Sequence, residues 1–267
     1  MTLSILALYV ISGIAAGFLA GLFGVGGGLI IVPVLVYCFF LQGFEADISM
    51  HLAIGTSLAT IILTSLSSIK AHHSHSAIEW GIVRQMTLGI IIGGFLGALL
   101  AKNLRSDSLQ IIFAIFEILV GFKLFLSSAP QANSESKKII NRLYLNSAGL
   151  VISAISAVIG IGGGTLSVPF LRWLGCNIQN AIATSAALGL PIALAGALAF
   201  IWTGAANTQL PELSLGFVYL PAFLGIGLLS IWLAPLGARC AHRLPANVLQ
   251  KVFAVALIAI GGLLLFS

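Results

Sequence analysis

Charge is what this sequence has least of. Of 267 residues only 7% are charged, with seven acids against twelve lysines and arginines. An ordinary soluble domain carries about 25% charge, so that class is excluded. Cysteine is also scarce: Cys38, Cys176 and Cys240 lie far apart, form an odd number and match no CxxC spacing, which leaves them as small membrane-buried hydrophobes. No GxxxxGK[ST] phosphate loop is present, so nothing suggests a nucleotide-driven pump. The roughly ten-residue apolar/polar alternation of a membrane β-barrel is missing too. The first ten residues, MTLSILALYV, have no basic segment of the kind that opens a cleaved signal, so the first apolar stretch is expected to belong to the mature protein.

What is present is apolar. Hydrophobic residues make up 59% of the chain, mean hydropathy is +1.13, and thirty glycines are scattered through long apolar stretches. That is the composition of an all-α polytopic membrane protein, in which glycine lets helix backbones approach closely. The net charge of +5 comes from basic residues placed singly between apolar stretches, which read as topology determinants and not as a nucleic-acid surface.

Eight apolar stretches follow one another: Leu3 to Leu41, Leu52 to Ile69, Gly81 to Ala101, Leu109 to Leu126, Leu143 to Leu174, Ile178 to Trp202, Leu215 to Ala238 and Val248 to Phe266. The polar segment SSAPQANSESKKIINR separates the fourth from the fifth. It divides the chain into a first repeat (1–127), a polar cytoplasmic linker (128–142) and a second repeat (143–267). GVGGGLIIVPVL at Gly24 to Leu35 returns as GIGGGTLSVPFL at Gly160 to Leu171. AIGTS at Ala53 to Ser57 returns as AIATS at Ala181 to Ser185, and LQIIFA at Leu109 returns as LQKVFA at Leu249. Three matches in one order indicate a duplicated four-segment unit.

The first stretch, as a straight helix rising 1.5 Å per residue, would reach almost 60 Å, about twice the hydrocarbon thickness of a bilayer. It is expected to break at GVGGG, where each glycine costs about 1 kcal/mol of helix propensity. Either a kinked single crossing or a hairpin would satisfy that break. Charge separates the two. With kinked crossings the basic residues divide six against six. With hairpins in the first and fifth stretches, Lys102 and Arg105 lie alone on one side and ten gather on the other, as the positive-inside rule prefers. The expected architecture is therefore an inverted repeat, broken at glycine-rich tips, with both termini outside the cytoplasm.

Two such tips would meet from opposite faces. Bare amides at a helix start offer partial positive charge to a small anion that must also leave. Pro33 and Pro169, each five residues beyond its GGG cluster, would hold the second arms short. The competing reading treats the glycines as smooth faces for helix packing.

At these residues the chain resembles the sulfite exporter TauE/SafE family of bacterial membrane transporters: the two GGG motifs, AIGTS and AIATS, HSHSAIEW before the third span and GARC before the last helix. The resemblance covers nearly the whole chain. It implies a permease for sulfite or an organosulfonate in the inner membrane. The inverted repeat, the broken stretches and the missing phosphate loop point to a secondary transporter working by alternating access, with a proton or sodium ion as a possible coupling partner and an oligomer as a possible assembly. An anion channel with opposed re-entrant loops is the alternative. An enzyme, which would need a nucleophile with its base or a carboxylate pair, is not expected, and neither is a cofactor or a metal.

The substrate-binding residues expected are Gly26, Gly27, Gly28, Thr56, Ser57, Gly162, Gly163, Gly164, Thr184 and Ser185. The four hydroxyls are chosen because the repeat keeps them; their competing role is back-bonding to the carbonyl four residues earlier. Glu117, the one acid deep in an apolar run, is a coupling residue or a structural partner of Lys123. Arg84 attracts the anion or snorkels to the interface. His72, His73 and His75 lie in a polar segment without accompanying carboxylates or cysteines, and read as an interfacial loop.

Overall fold

The structure is a computed structural model that describes residues 3–24, 26–73, 76–126, 141–240 and 246–266. Most of the linker expected at 128–142, together with His75, Lys137, Lys138 and Arg243, lies outside them. The described chain forms α1 (Leu3–Phe23), α2 (Gly28–Leu41), α3 (Ala46–His73), α4 (Trp80–Lys102), α5 (Ser106–Leu126), α6 (Arg142–Ile159), α7 (Gly164–Trp173), α8 (Ile178–Gly204), a short ribbon of β1 (Ser214–Leu215) and β2 (Val218–Tyr219), α9 (Leu220–Cys240) and α10 (Ala246–Phe266). Among the described residues seven helices, α1, α3, α4, α5, α6, α8 and α9, are long and apolar enough to cross a bilayer. The protein is an all-helical membrane protein.

The seventh apolar stretch does not start as a helix. Leu215 and Val218 pair in the ribbon, because Gly216 turns the chain at φ +53° and the Phe217 amide donates to the Phe200 carbonyl. Helix α9 begins only at Leu220, with Pro221 in its first turn, where a missing N–H costs nothing.

Two glycine seams hold the bundle. On α1, Gly13, Gly17 and Gly21 recur every fourth residue and lie against the backbone of Ile226, Ser230 and Ala234 on α9. On α4, Gly89, Gly93 and Gly97 do the same against Asn146, Leu150 and Ala154 on α6. A Cβ added to Gly17 would sit 2.6 Å from the Ser230 Cα, so these helices meet backbone to backbone. Apolar side chains gain little from packing against each other instead of lipid, and close approach supplies the van der Waals contact that replaces a hydrophobic drive. At these six positions the glycines are the smooth faces of the packing reading.

Other contacts fix the two ends of the bundle. At one end, Gln42 Nε2 donates to the Tyr9 hydroxyl at 3.1 Å, His51 Nε2 lies 3.0 Å from the Ala101 carbonyl, and the Phe44 and Tyr219 rings meet edge to face at 5.3 Å. At the other, His73 meets Trp80, Asn180 Nδ2 donates to Glu79 at 3.2 Å, and Tyr144 packs on Phe170 and Trp173. Helices α5 and α10 pack together; Gly121 lies against Ala254 and Ile258, and Gly261 against Ala114 and Glu117.

Gly93→Leu should drive a side chain into the Leu150 carbonyl, whereas Gly81→Leu meets nothing within 4 Å. The expected cost at Gly93 is about 1 to 3 kcal/mol, the ordinary range for overpacking. Thermal unfolding in detergent checks this: Gly93→Leu lowers Tm by several degrees and Gly81→Leu leaves it in place.

Candidate functional site

The first apolar stretch doubles back. Gly27 lies against Ala16 and Gln42 reaches Tyr9, so residues after the break run antiparallel to those before it. The fifth stretch does the same: Gly163 lies beside Ser156, and Phe170 and Trp173 stack on Tyr144. The first hairpin has its base at the Tyr9 end of the bundle and the second at the Tyr144 end. Their tips abut: a Cβ added to Gly26 would lie 3.2 Å from the Gly162 Cα, and one added to Gly28 would lie 2.5 Å from the Gly160 carbonyl oxygen.

The local sequence explains the break. Gly24, Gly26 and Gly27 take φ of +67°, +80° and +85°, and Gly160 and Gly163 take +81° and +76°, left-handed values that cost most residues a steric penalty. Gly27 and Gly163 then cap the helices that follow. The amides of Ile30 and Ile31 donate to the Gly27 carbonyl, and those of Leu166 and Ser167 to the Gly163 carbonyl. Neither cap uses a side chain. By contrast α6 and α8 start with Asn141 and Asn177, whose side chains accept from Leu143 and Asn180 amides. Helices α2 and α7 therefore start with no N-cap side chain bonded to their first-turn amides, where the helix dipole is positive. Pro33 and Pro169 lie inside α2 and α7, which run for only 14 and 10 residues.

The repeated hydroxyl pairs reach the tips. Ser57 Oγ on α3 donates to the Gly160 carbonyl at 2.8 Å, and Ser185 Oγ on α8 donates to the Gly24 carbonyl at 3.3 Å. Thr56 Oγ1 accepts from the Tyr219 amide at 2.9 Å, and Thr184 Oγ1 from the Glu79 amide at 3.0 Å. Each helix thus fastens the tip, and the segment leading into a helix, that come from the other part of the chain. Back-bonding occurs one turn further on, where Thr60 donates to the Thr56 carbonyl at 2.9 Å.

A narrow cleft flanks the abutting tips, bounded by Gly24, Gly26, Gly162 and Gly189 and by the hydroxyls of Thr64, Ser65 and Ser68 on α3. Ser68 was not among the expected ligands. Its signal was available in the spacing, since Thr64, Ser65 and Ser68 fall on one helical face.

The remaining expected residues are elsewhere. Glu117 is fully buried on α5, against Gly261 of α10, and neither carboxyl oxygen has a hydrogen-bond partner. Arg84 is exposed on the first turn of α4 and does not reach the tips. His72 is buried and His73 exposed at the end of α3. Cys38 and Cys176 are buried and Cys240 is partly buried. Among the described residues no group of three histidine, cysteine or acidic side chains could hold a metal ion.

Ser57→Ala and Ser185→Ala each leave a tip carbonyl without its hydroxyl donor, a loss of about 1 to 3 kcal/mol for a buried group. Thermal denaturation should show the larger fall in Tm for Ser57→Ala, whose bond is shorter. Equal stability of both variants and the parent would remove the clasp from the account.

A sequence profile described as Sulfite exporter TauE/SafE matches residues 9–264. A probable membrane transporter protein of Haemophilus influenzae is 39% identical over 248 residues, 93% of each chain. The probable membrane transporter protein YunE of Bacillus subtilis is 27% identical, covering 97% of this chain and 96% of its own. A similarly described protein of Methanocaldococcus jannaschii is 28% identical over 93% of this chain and 91% of its own. No solved structure matches. With its helices, its paired hairpins and a match across nearly its full length, the chain belongs to the sulfite exporter TauE/SafE family and is an integral membrane transporter.

Proposed function

We propose that the protein is a secondary transporter of a small anion, sulfite or an organosulfonate, and that the anion is held where the two glycine tips meet. The observation that carries this reading is the pair of broken helices, α2 and α7, which start at adjoining tips with no side chain capping their amides. Peptide N–H groups there attract negative charge without a fixed cation that would bind too tightly to release. Gly26, Gly27 and Gly28 with Gly162, Gly163 and Gly164 supply the backbone. Ser57 and Ser185 hold its shape by fixing the Gly160 and Gly24 carbonyls, and Thr56 and Thr184 anchor the segments that lead into α9 and α4.

In this reading the two repeats are inverted and the protein works by alternating access. Support comes from the hairpin bases at opposite ends of the bundle and from the exchange of partners, α1 with α9 and α6 with α4. Lys102 and Arg105 fall at the Tyr9 end, while Lys70, Arg84, Lys123, Arg142, Arg172 and Arg239 fall at the Tyr144 end. The positive-inside rule then makes the Tyr144 end cytoplasmic in the bacterial inner membrane and leaves both termini outside. Glu117 is the coupling residue of the proposal, because a carboxyl buried at membrane depth is costly unless its proton is used. Exposed Arg84 draws anions toward the cytoplasmic face. A carrier is favoured over a channel because the cleft is too narrow to form an open path beside the tips.

Proteoliposomes loaded with unlabelled sulfite or methanesulfonate should accumulate the labelled anion by counterflow. Gly27→Val and Gly163→Val, which place a branched side chain at φ +85° and +76°, should abolish that flux while the protein still inserts. Normal flux through either variant overturns the glycine site. Steady single-channel conductance in a planar bilayer overturns the carrier.

A further inference from the structure

The cleft beside the tips is lined by hydroxyls of α3 that the repeat does not keep. Thr64, Ser65 and Ser68 on α3 stand 128 positions before Ile192, Ala193 and Gly196 on α8, at the shift that relates Ser57 to Ser185. At these positions α8 presents no hydroxyl. On α3 the Thr64 hydroxyl is already used, donating to the Gly26 carbonyl at 3.3 Å and the Ile61 carbonyl at 3.1 Å. At the other tip, Gly163 is flanked by Ile192 Cδ1 and by the hydroxyls of Ser156 and Ser167, which come from α6 and α7 and not from α8. On the α3 side, Gly24, Gly26, Gly162 and Gly189 line the narrow cleft.

Within that cleft one polar group stands out. Ser68 is 2% exposed, its Oγ is buried, and it has no hydrogen-bond partner. An unused hydroxyl shut away from water is a cost to the fold, and its natural use is to donate to something that enters. Ser65 Oγ is close by, 3.2 Å from where a Gly189 Cβ would lie, and Gly189 in turn touches the Gly162 carbonyl. The cleft therefore joins hydroxyl donors on α3 to the glycine backbone of both tips.

We propose that Ser68, with Ser65 beside it, forms an oxyanion subsite on the Tyr144 side of the tips, and that it favours an anion with several oxygens over a spherical halide. The proposal rests on the reading of the protein as an anion transporter. The tip amides take one oxygen of the sulfite or sulfonate group and the α3 hydroxyls take another. A single-atom anion occupies one of these positions and leaves the other unmet. Neutral donors suit this task, because hydrogen bonds to a charged acceptor are about twice as strong as neutral ones yet place no opposite charge in the path.

The test uses full-length protein in liposomes, with sulfite and methanesulfonate as the transported probes. Ser68→Ala should raise KM for both about tenfold, the usual consequence of removing one hydrogen bond to a charged group. Its Tm should not fall, since in the unloaded protein the hydroxyl bonds to nothing. Ser153→Ala is the control: that hydroxyl is equally buried and equally unpartnered, but it lies against Gly94 of α4, away from the tips. Its KM should match the parent. A parental KM in Ser68→Ala, or an equal shift in Ser153→Ala, overturns the subsite and leaves the transporter reading standing. Parent protein that moves neither probe overturns the transporter reading and takes the subsite with it.

Discussion

A polypeptide that stops being helical at membrane depth must find partners for its amides and carbonyls inside the protein, because lipid supplies none. Much of this structure is arranged around that constraint. The two hairpin tips interrupt α1–α2 and α6–α7 at left-handed glycines, and serines from the long helices α3 and α8 take up the carbonyls so released. The repeat motif containing Thr-Ser is best understood as a clasp: each copy bonds backbone contributed by the other copy's half of the chain. The clasps take up carbonyls, and α2 and α7 start with no side chain capping their amides.

The helical class and the break at each glycine cluster were legible in the sequence because they depend on composition and periodicity. The doubling back of the first stretch was legible through the distribution of Lys and Arg, since topology leaves its trace in charge. Side-chain roles were less legible. Thr56, Ser57, Thr184 and Ser185 could be identified as paired hydroxyls, but which partner a hydroxyl finds depends on helices more than a hundred residues away. Ser68 has no hydroxyl counterpart in the second half, so internal repetition gives no signal for it. Leu215 and Val218, read as the start of a helix, form a ribbon because a turn at Gly216 outweighs their apolar character.

Glycine plays two different parts in this chain, and the backbone angles distinguish them. In α1 and α4 it is helical and serves as a flat surface; at the tips it is left-handed and serves as a joint. Composition gives the same reading for both, and the distinction emerges only from the spacing: every fourth residue in the seams, adjacent in the tips.

The seams have a mechanical consequence. Because α1 lies on α9 and α4 lies on α6, each seam joins one sequence half to the other. A motion that pulled the halves apart would have to peel open both seams together. A motion that kept both closed would carry α1 along with α9 and α4 along with α6. Its moving blocks would each combine helices from both ends of the chain, so the polar linker in the sequence need not mark the plane along which the protein bends.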